Sequence, residues 1–101
     1  MKKVIWSSTA RKSLRRTSDF ITELWGEKIK TEFLNKLNYR IRQIQINPQL
    51  APTFGDSDIR KLVIHKSVSI FYLDLVEHLR ILLVWDNRQD PAKLYKELIG
   101  K

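Results

Sequence analysis

The chain has no cysteine, only three glycines and three prolines in 101 residues, and no apolar run near the roughly 20 residues a membrane-spanning helix needs. Without cysteine there is no disulfide scaffold and no thiolate metal site, which fits a reducing compartment. So little glycine and proline, beside 43% apolar residues, excludes a collagen-like repeat and a disordered polar tract, and leaves side chains for a real core. The start, Met1-Lys2-Lys3-Val4-Ile5-Trp6, has the lysines of a secretory leader. Its apolar stretch stops after three residues and soon meets Arg11-Lys12, so no leader is expected. Glycine-rich phosphate loops, zinc motifs, nucleophile elbows and paired carboxylates are also missing. The expectation is one domain over residues 1–101, in the cytoplasm, with no cofactor, no metal, no membrane contact and no small-molecule substrate.

What the chain does have is positive charge. Nineteen Lys and Arg against 11 Asp and Glu give +8, and the excess is lopsided, with +7 in residues 1–50 and +1 in residues 51–101. A basic surface of this kind favours a polyanion or an acidic protein partner and makes association salt-sensitive. A plain solvated surface is equally compatible with the charge alone.

Periodicity divides the chain into a helical half and a strand-rich half. Lys2–Trp6 is short, apolar and β-branched, and reads as a strand. Ser7-Ser8-Thr9 suits a helix cap, and Ala10, Leu14, Ile21, Leu24 and Trp25 then recur on one helical face. Arg11, Lys12, Arg15 and Arg16 lie off that stripe and give the helix a basic back. Gly26 stops it. From Glu27 to Ile46, the positions Ile29, Phe33, Leu37, Ile41 and Ile44 step by 4, 4, 4 and 3, an amphipathic pattern, which Asn47-Pro48 ends. The two helices should form an antiparallel hairpin. After a loop at residues 47–58 come strands at 59–65, 68–75 and 79–85. The last of these contains Ile81-Leu82-Leu83-Val84-Trp85, apolar on both faces as in a central strand. Asp90-Pro91 opens a final helix, Pro91–Ile99.

The order βααβββα predicts an α+β domain, with the helical hairpin packed on a mostly antiparallel four-stranded sheet. Packing is expected through Leu14, Ile21, Leu24, Ile29, Phe33, Leu37 and Ile41 onto Ile70, Tyr72, Ile81 and Leu83. Trp6, Trp25 and Trp85 read as core. His65 and His78 read as surface residues at turns.

The strand-led helical hairpin, Asn47-Pro48 after the second helix, Ile59-Arg60-Lys61-Leu62, Ile70-Phe71-Tyr72, and a closing apolar strand running into Arg88-Gln89-Asp90-Pro91 together resemble the RelE/ParE superfamily of bacterial toxins. The resemblance spans nearly the whole chain. It implies the toxin of a type II toxin–antitoxin module, silenced by a cognate antitoxin protein. RelE-like members cut messenger RNA on the ribosome, and ParE-like members poison DNA gyrase.

Metal-free RNA cleavage must activate the 2′-hydroxyl, stabilise the charged phosphorane and protonate the leaving oxygen. The resemblance would place an arginine at Ser69 and a histidine at Asn87, and neither serine nor asparagine can do that work. Arg88 and Tyr95 remain as the catalytic candidates of a RelE-like enzyme. Arg60, Lys61, Lys66 and Arg80 are the candidates for contacting a phosphate or the target. Read without the resemblance, Arg60 and Lys61 are solvent-facing strand residues, Arg88 pairs with Asp86 or Asp90, and Tyr95 packs with Leu94, Leu98 and Ile99. The missing groups favour the ParE-like, gyrase-directed mode over the RelE-like nuclease. A non-toxic nucleic-acid-binding module is a third reading, but no recognition helix or stacking motif supports it.

Overall fold

The computed structural model describes residues 1–65 and 67–99. Its elements are β1 (Lys3–Trp6), α1 (Ser8–Trp25), α2 (Glu27–Ile46), β2 (Arg60–His65), β3 (Val68–Asp74), β4 (His78–Asp86) and α3 (Pro91–Ile99). These are the expected elements, shifted by a residue or so at strand ends. The sheet runs β1-β4-β3-β2. Both hairpin pairings are antiparallel, and β1 joins β4 in parallel.

Each helix boundary has a local cause. Ser7 caps α1, its Oγ accepting from the Ala10 N–H at 3.0 Å and donating to the Leu82 carbonyl at 3.2 Å. One hydroxyl thus starts the helix and ties it to the central strand. Gly26 alone joins α1 to α2, at φ +89°, a conformation that L side chains resist. Asp90 caps α3 by accepting from the Ala92 N–H at 3.0 Å.

The main core lies between the hairpin and the sheet. It includes Ile21, Phe33, Leu37, Ile41, Ile44, Ile70, Tyr72, Ile81 and Val84. The face that α1 lays on the sheet is smaller and more polar than its sequence stripe suggested: Ala10, Ser13, Thr17, Ser18 and Ile21 are the buried positions. Ser13 shows why polar residues belong there. The partner strand β1 ends at Trp6 opposite Ile81, and the β4 N–H of Val84 beyond it is met instead by Ser13 Oγ, 2.9 Å away. That hydroxyl in turn donates to the Ala10 carbonyl at 2.9 Å. A buried backbone N–H is thereby satisfied without a strand.

Three expected core residues are corrected. Leu24 and Trp25 are half exposed and Ile29 is exposed. Leu24 and Trp25 flank the buried line of α1 on either side in its last turn, and Ile29 sits in the first turn of α2, so all three stand at the hairpin tip. Trp85 is buried and Trp6 packs partly buried against the main core. Leu83 is corrected as well, since it faces away from the hairpin. The β3–β4 register shifts between Phe71, opposite Leu83, and Tyr72, opposite Ile81. Leu82 is the extra residue of a bulge, and a bulge reverses which face the following side chains take. Leu83 and Trp85 therefore join Phe71 and Leu94 in a second, smaller core, with Phe54, Ile59, Leu82 and Leu98 packed against it. This core gives the central strand its second cover.

The loop before β2 is held from both ends. Tyr72 is buried, its hydroxyl donates to the Pro48 carbonyl at 2.8 Å, and burial raises its pKa above the ordinary value. Arg60 donates to the Ala51 carbonyl at 2.6 Å. At the other edge of the sheet, Lys2 pairs with Asp74 and Gln45 donates to the Lys2 carbonyl at 2.8 Å. No buried side-chain nitrogen or oxygen lacks a partner among the described residues.

Candidate functional site

Two regions receive the residues singled out in the sequence. The first is the sheet face away from the hairpin. Strand register sets Lys61 beside Phe71 and Val63 beside Ser69 on that face. Phe54 folds back over it and meets the Phe71 ring edge-on, with centroids 5.2 Å apart. Tyr95 is 56% exposed, its ring tilted 6.1 Å from that of Phe54, so the packing role expected for it is only partial. Ser69 is fully buried and accepts a hydrogen bond from Asn87 Nδ2 at 3.2 Å. The two positions at which the resemblance would put a phosphate-binding arginine and a proton-donating histidine thus satisfy each other.

The second region lies where the end of β4 meets α1. Arg88 grips Asp86, with Nε 3.1 and 3.2 Å from the two carboxylate oxygens and Nη2 2.7 Å from Oδ2. The Arg88 backbone N–H adds a bond of 2.9 Å to Oδ1. Asp86 is only 6% exposed. Burial pushes its pKa up, but the Arg88 side-chain and backbone hydrogen bonds outweigh that and hold it below the ordinary carboxylate value. The guanidinium carbon lies 5.1 Å from the Phe20 ring centroid and 5.4 Å from that of Trp25, within cation–π range of both. Arg16, Thr17, Phe20, Asp86, Arg88 and Gln89 line a cleft of about 350 Å³ here.

The candidates do not converge. Arg88 and Tyr95 neither hydrogen-bond nor stack with one another, since each has its own aromatic neighbours. Arg60 is turned to the loop carbonyls, and Lys61 lines a depression with Arg40 and Pro52 at the β2 edge. Arg80 is exposed on β4 near the start of α1, beside Ser7, Ser8 and Glu97. Lys66 lies outside the described residues. Phe20 and Trp25 were missed as neighbours of Arg88. Only the Asp-x-Arg spacing was visible along the chain, and the rings come from a helix more than sixty residues away. No group of three potential metal ligands and no helix able to cross a membrane occurs among the described residues.

This architecture recurs in solved structures. A chain of the chromosomal ParDE toxin–antitoxin system from P. aeruginosa superimposes with a TM-score of 0.71 at 17% identity, covering 85% of this chain and 96% of that one. A chain of the E. coli DinJ-YafQ toxin–antitoxin complex gives 0.61 at 14%, covering 86% and 93%. A Helicobacter pylori protein solved in solution gives 0.57 at 17%, covering 88% and 98%. No curated protein matches by sequence. The fold is thus that of the RelE/ParE superfamily of toxins. Within it, residues 4–91 match the family model of the ParE toxin of the type II toxin–antitoxin system parDE, and the chain belongs to that family.

Proposed function

We propose that this toxin acts in the ParE-like mode, arresting growth through DNA gyrase and not by cutting messenger RNA, and that a cognate antitoxin silences it in the cytoplasm. The observation that carries this reading is the state of the would-be nuclease groups. Ser69 is buried against Asn87, and the arginine that remains, Arg88, is committed to a buried carboxylate. A phosphorane needs cationic groups that are free to reach it, and among the described residues the open sheet face offers none in a cluster. Membership in the ParE family supports the same mode and the expectation of an antitoxin.

The antitoxin segment expected here is acidic and amphipathic, matching a +8 chain with exposed apolar side chains at its hairpin tip. The test pairs two assays on one purified preparation. The toxin should inhibit gyrase-catalysed supercoiling while leaving messenger RNA intact on programmed ribosomes. Ribosome-dependent cleavage that disappears in Arg88→Ala would replace this reading with the RelE-like one.

A further inference from the structure

Of the basic back of α1, only Arg16 borders the site described above. Lys12, Arg16, Phe20 and Leu24 are spaced by four and form one exposed row along the helix. Arg11 and Arg15 form the adjacent row, which continues into Asp19 and Glu23. None of the four cations has an ion-pair partner among the described residues. At 1.5 Å per residue, the stretch from Arg11 to Leu24 extends about 20 Å. Its cationic half leads directly to exposed rings. Arg16 shares the 350 Å³ cleft with Phe20 and Arg88, and Arg88 stands between the Phe20 and Trp25 rings. The one carboxylate in that cleft, Asp86, is neutralised by Arg88. The Nη1 of Arg88 makes no hydrogen bond among the described residues and is left for another acceptor.

We infer that this surface binds a nucleic-acid single strand, its phosphates running along Lys12, Arg16 and the neighbouring Arg11 and Arg15, and a base stacking at the Phe20 ring beside Arg88. The physical basis is the pairing of a cationic track with accessible aromatic faces, the combination that single strands need because they carry both regular charge and unpaired rings. A purely acidic segment would satisfy the charges alone, whereas the exposed Phe20 and Trp25 rings beside Arg88 add surfaces on which unpaired bases stack. The inference rests on the toxin reading, in that a topoisomerase holding cleaved DNA and a ribosome holding message both present such a strand. The track lies on α1 and is separate from the sheet face where the nuclease groups were sought.

The experiment measures fluorescence anisotropy of labelled twelve-nucleotide deoxythymidine and uridine oligomers with the purified toxin across a salt series. The DNA and RNA arms identify which strand the surface prefers. Reversal of the track in the double variant Lys12→Glu, Arg16→Glu should weaken binding at least tenfold at low salt. It should also flatten the dependence of log affinity on log salt by about 0.7 per lost phosphate contact. Phe20→Ala should weaken binding about tenfold at every salt concentration, and Phe20→Tyr should restore it. All three positions are exposed, and circular dichroism verifies folding. Binding that ignores the charge reversal overturns the inference, and so does binding that ignores Phe20→Ala. Displacement of the oligomer by poly-glutamate as readily as by unlabelled oligomer also overturns it, marking the surface as one for an acidic protein. Supercoiling inhibition is scored on the same variants. Variants that keep oligomer binding and still inhibit gyrase overturn this inference and leave the toxin reading standing, whereas wild-type protein that binds the oligomer without inhibiting gyrase overturns the gyrase-directed reading alone.

Discussion

Replacing Arg88 with alanine would leave the Asp86 carboxylate stranded at the end of β4. Asp86 is 6% exposed, and among the described residues its carboxylate bonds only to Arg88, through both the backbone N–H and the guanidinium. Removing one partner of a buried pair costs about 3–5 kcal/mol, because the remaining charge keeps its desolvation penalty. Water can reach this edge of the sheet, and the backbone N–H bond to Oδ1 survives the substitution, so the expected loss is at the low end, about 3 kcal/mol. Loss of the cation–π contacts with Phe20 and Trp25 contributes within that figure.

The reverse change is expected to cost less. Asp86→Asn leaves Arg88 without its carboxylate, but that side chain is 46% exposed and can hydrate, so about 1–2 kcal/mol is expected, the value of charge-assisted bonds exchanged for water. The double variant should be less destabilised than the sum of the single ones, since no buried charge remains. Acid sharpens the test. The pKa of Asp86 is depressed in the folded protein, so its contribution is complete above the ordinary value of 3.8 and disappears as pH falls through the lower folded value. In Arg88→Ala the buried carboxylate has lost its guanidinium partner and its pKa rises. The variant should therefore approach the wild type in stability as pH is lowered. Urea titrations at pH 7 and at pH 4 measure both effects. Arg88→Ala costing under about 0.5 kcal/mol at pH 7, or a gap that widens in acid, would refute the account of Arg88 as a clasp.

Other outcomes follow from the cores and the caps. Phe33→Ala, which empties a buried site in α2, should lose about 3–5 kcal/mol in denaturant titration. Ser13→Ala should lose about 1–3 kcal/mol and speed amide exchange at Val84, since it removes the hydroxyl that accepts from that N–H. Leu24→Ala, at a half-exposed site, should change stability by no more than about 0.5 kcal/mol, whereas the sequence stripe alone would predict a core-sized loss. Co-expression with the adjacent small reading frame should yield a complex whose association slows as salt rises and whose apolar anchors hold it once formed.

The sequence alone determined the element order, the helix ends and the family. Those features are written in local physics: a hydroxyl before α1, one glycine between helices, Asn47-Pro48 after α2, Asp90-Pro91 before α3, and apolar steps of three and four against runs of strand formers. The resemblance also set the expectation that Ser69 and Asn87 stand where a RelE-like nuclease would carry an arginine and a histidine. The tertiary structure decided which apolar residues are core, because periodicity reports a face and not what lies opposite it. Leu24 and Ile29 sit on the right stripe and still meet solvent at the hairpin tip. Leu83 changed faces because a single extra residue at Leu82 reversed the alternation. Ser13, polar by composition, is buried because β1 ends before Val84 and leaves that N–H to satisfy. Arg88 shows the same division, since its pairing with Asp86 was legible two residues away. Its place between Phe20 and Trp25 arises only when β4 is laid beside α1, and contacts across that distance in sequence leave no mark on the chain itself.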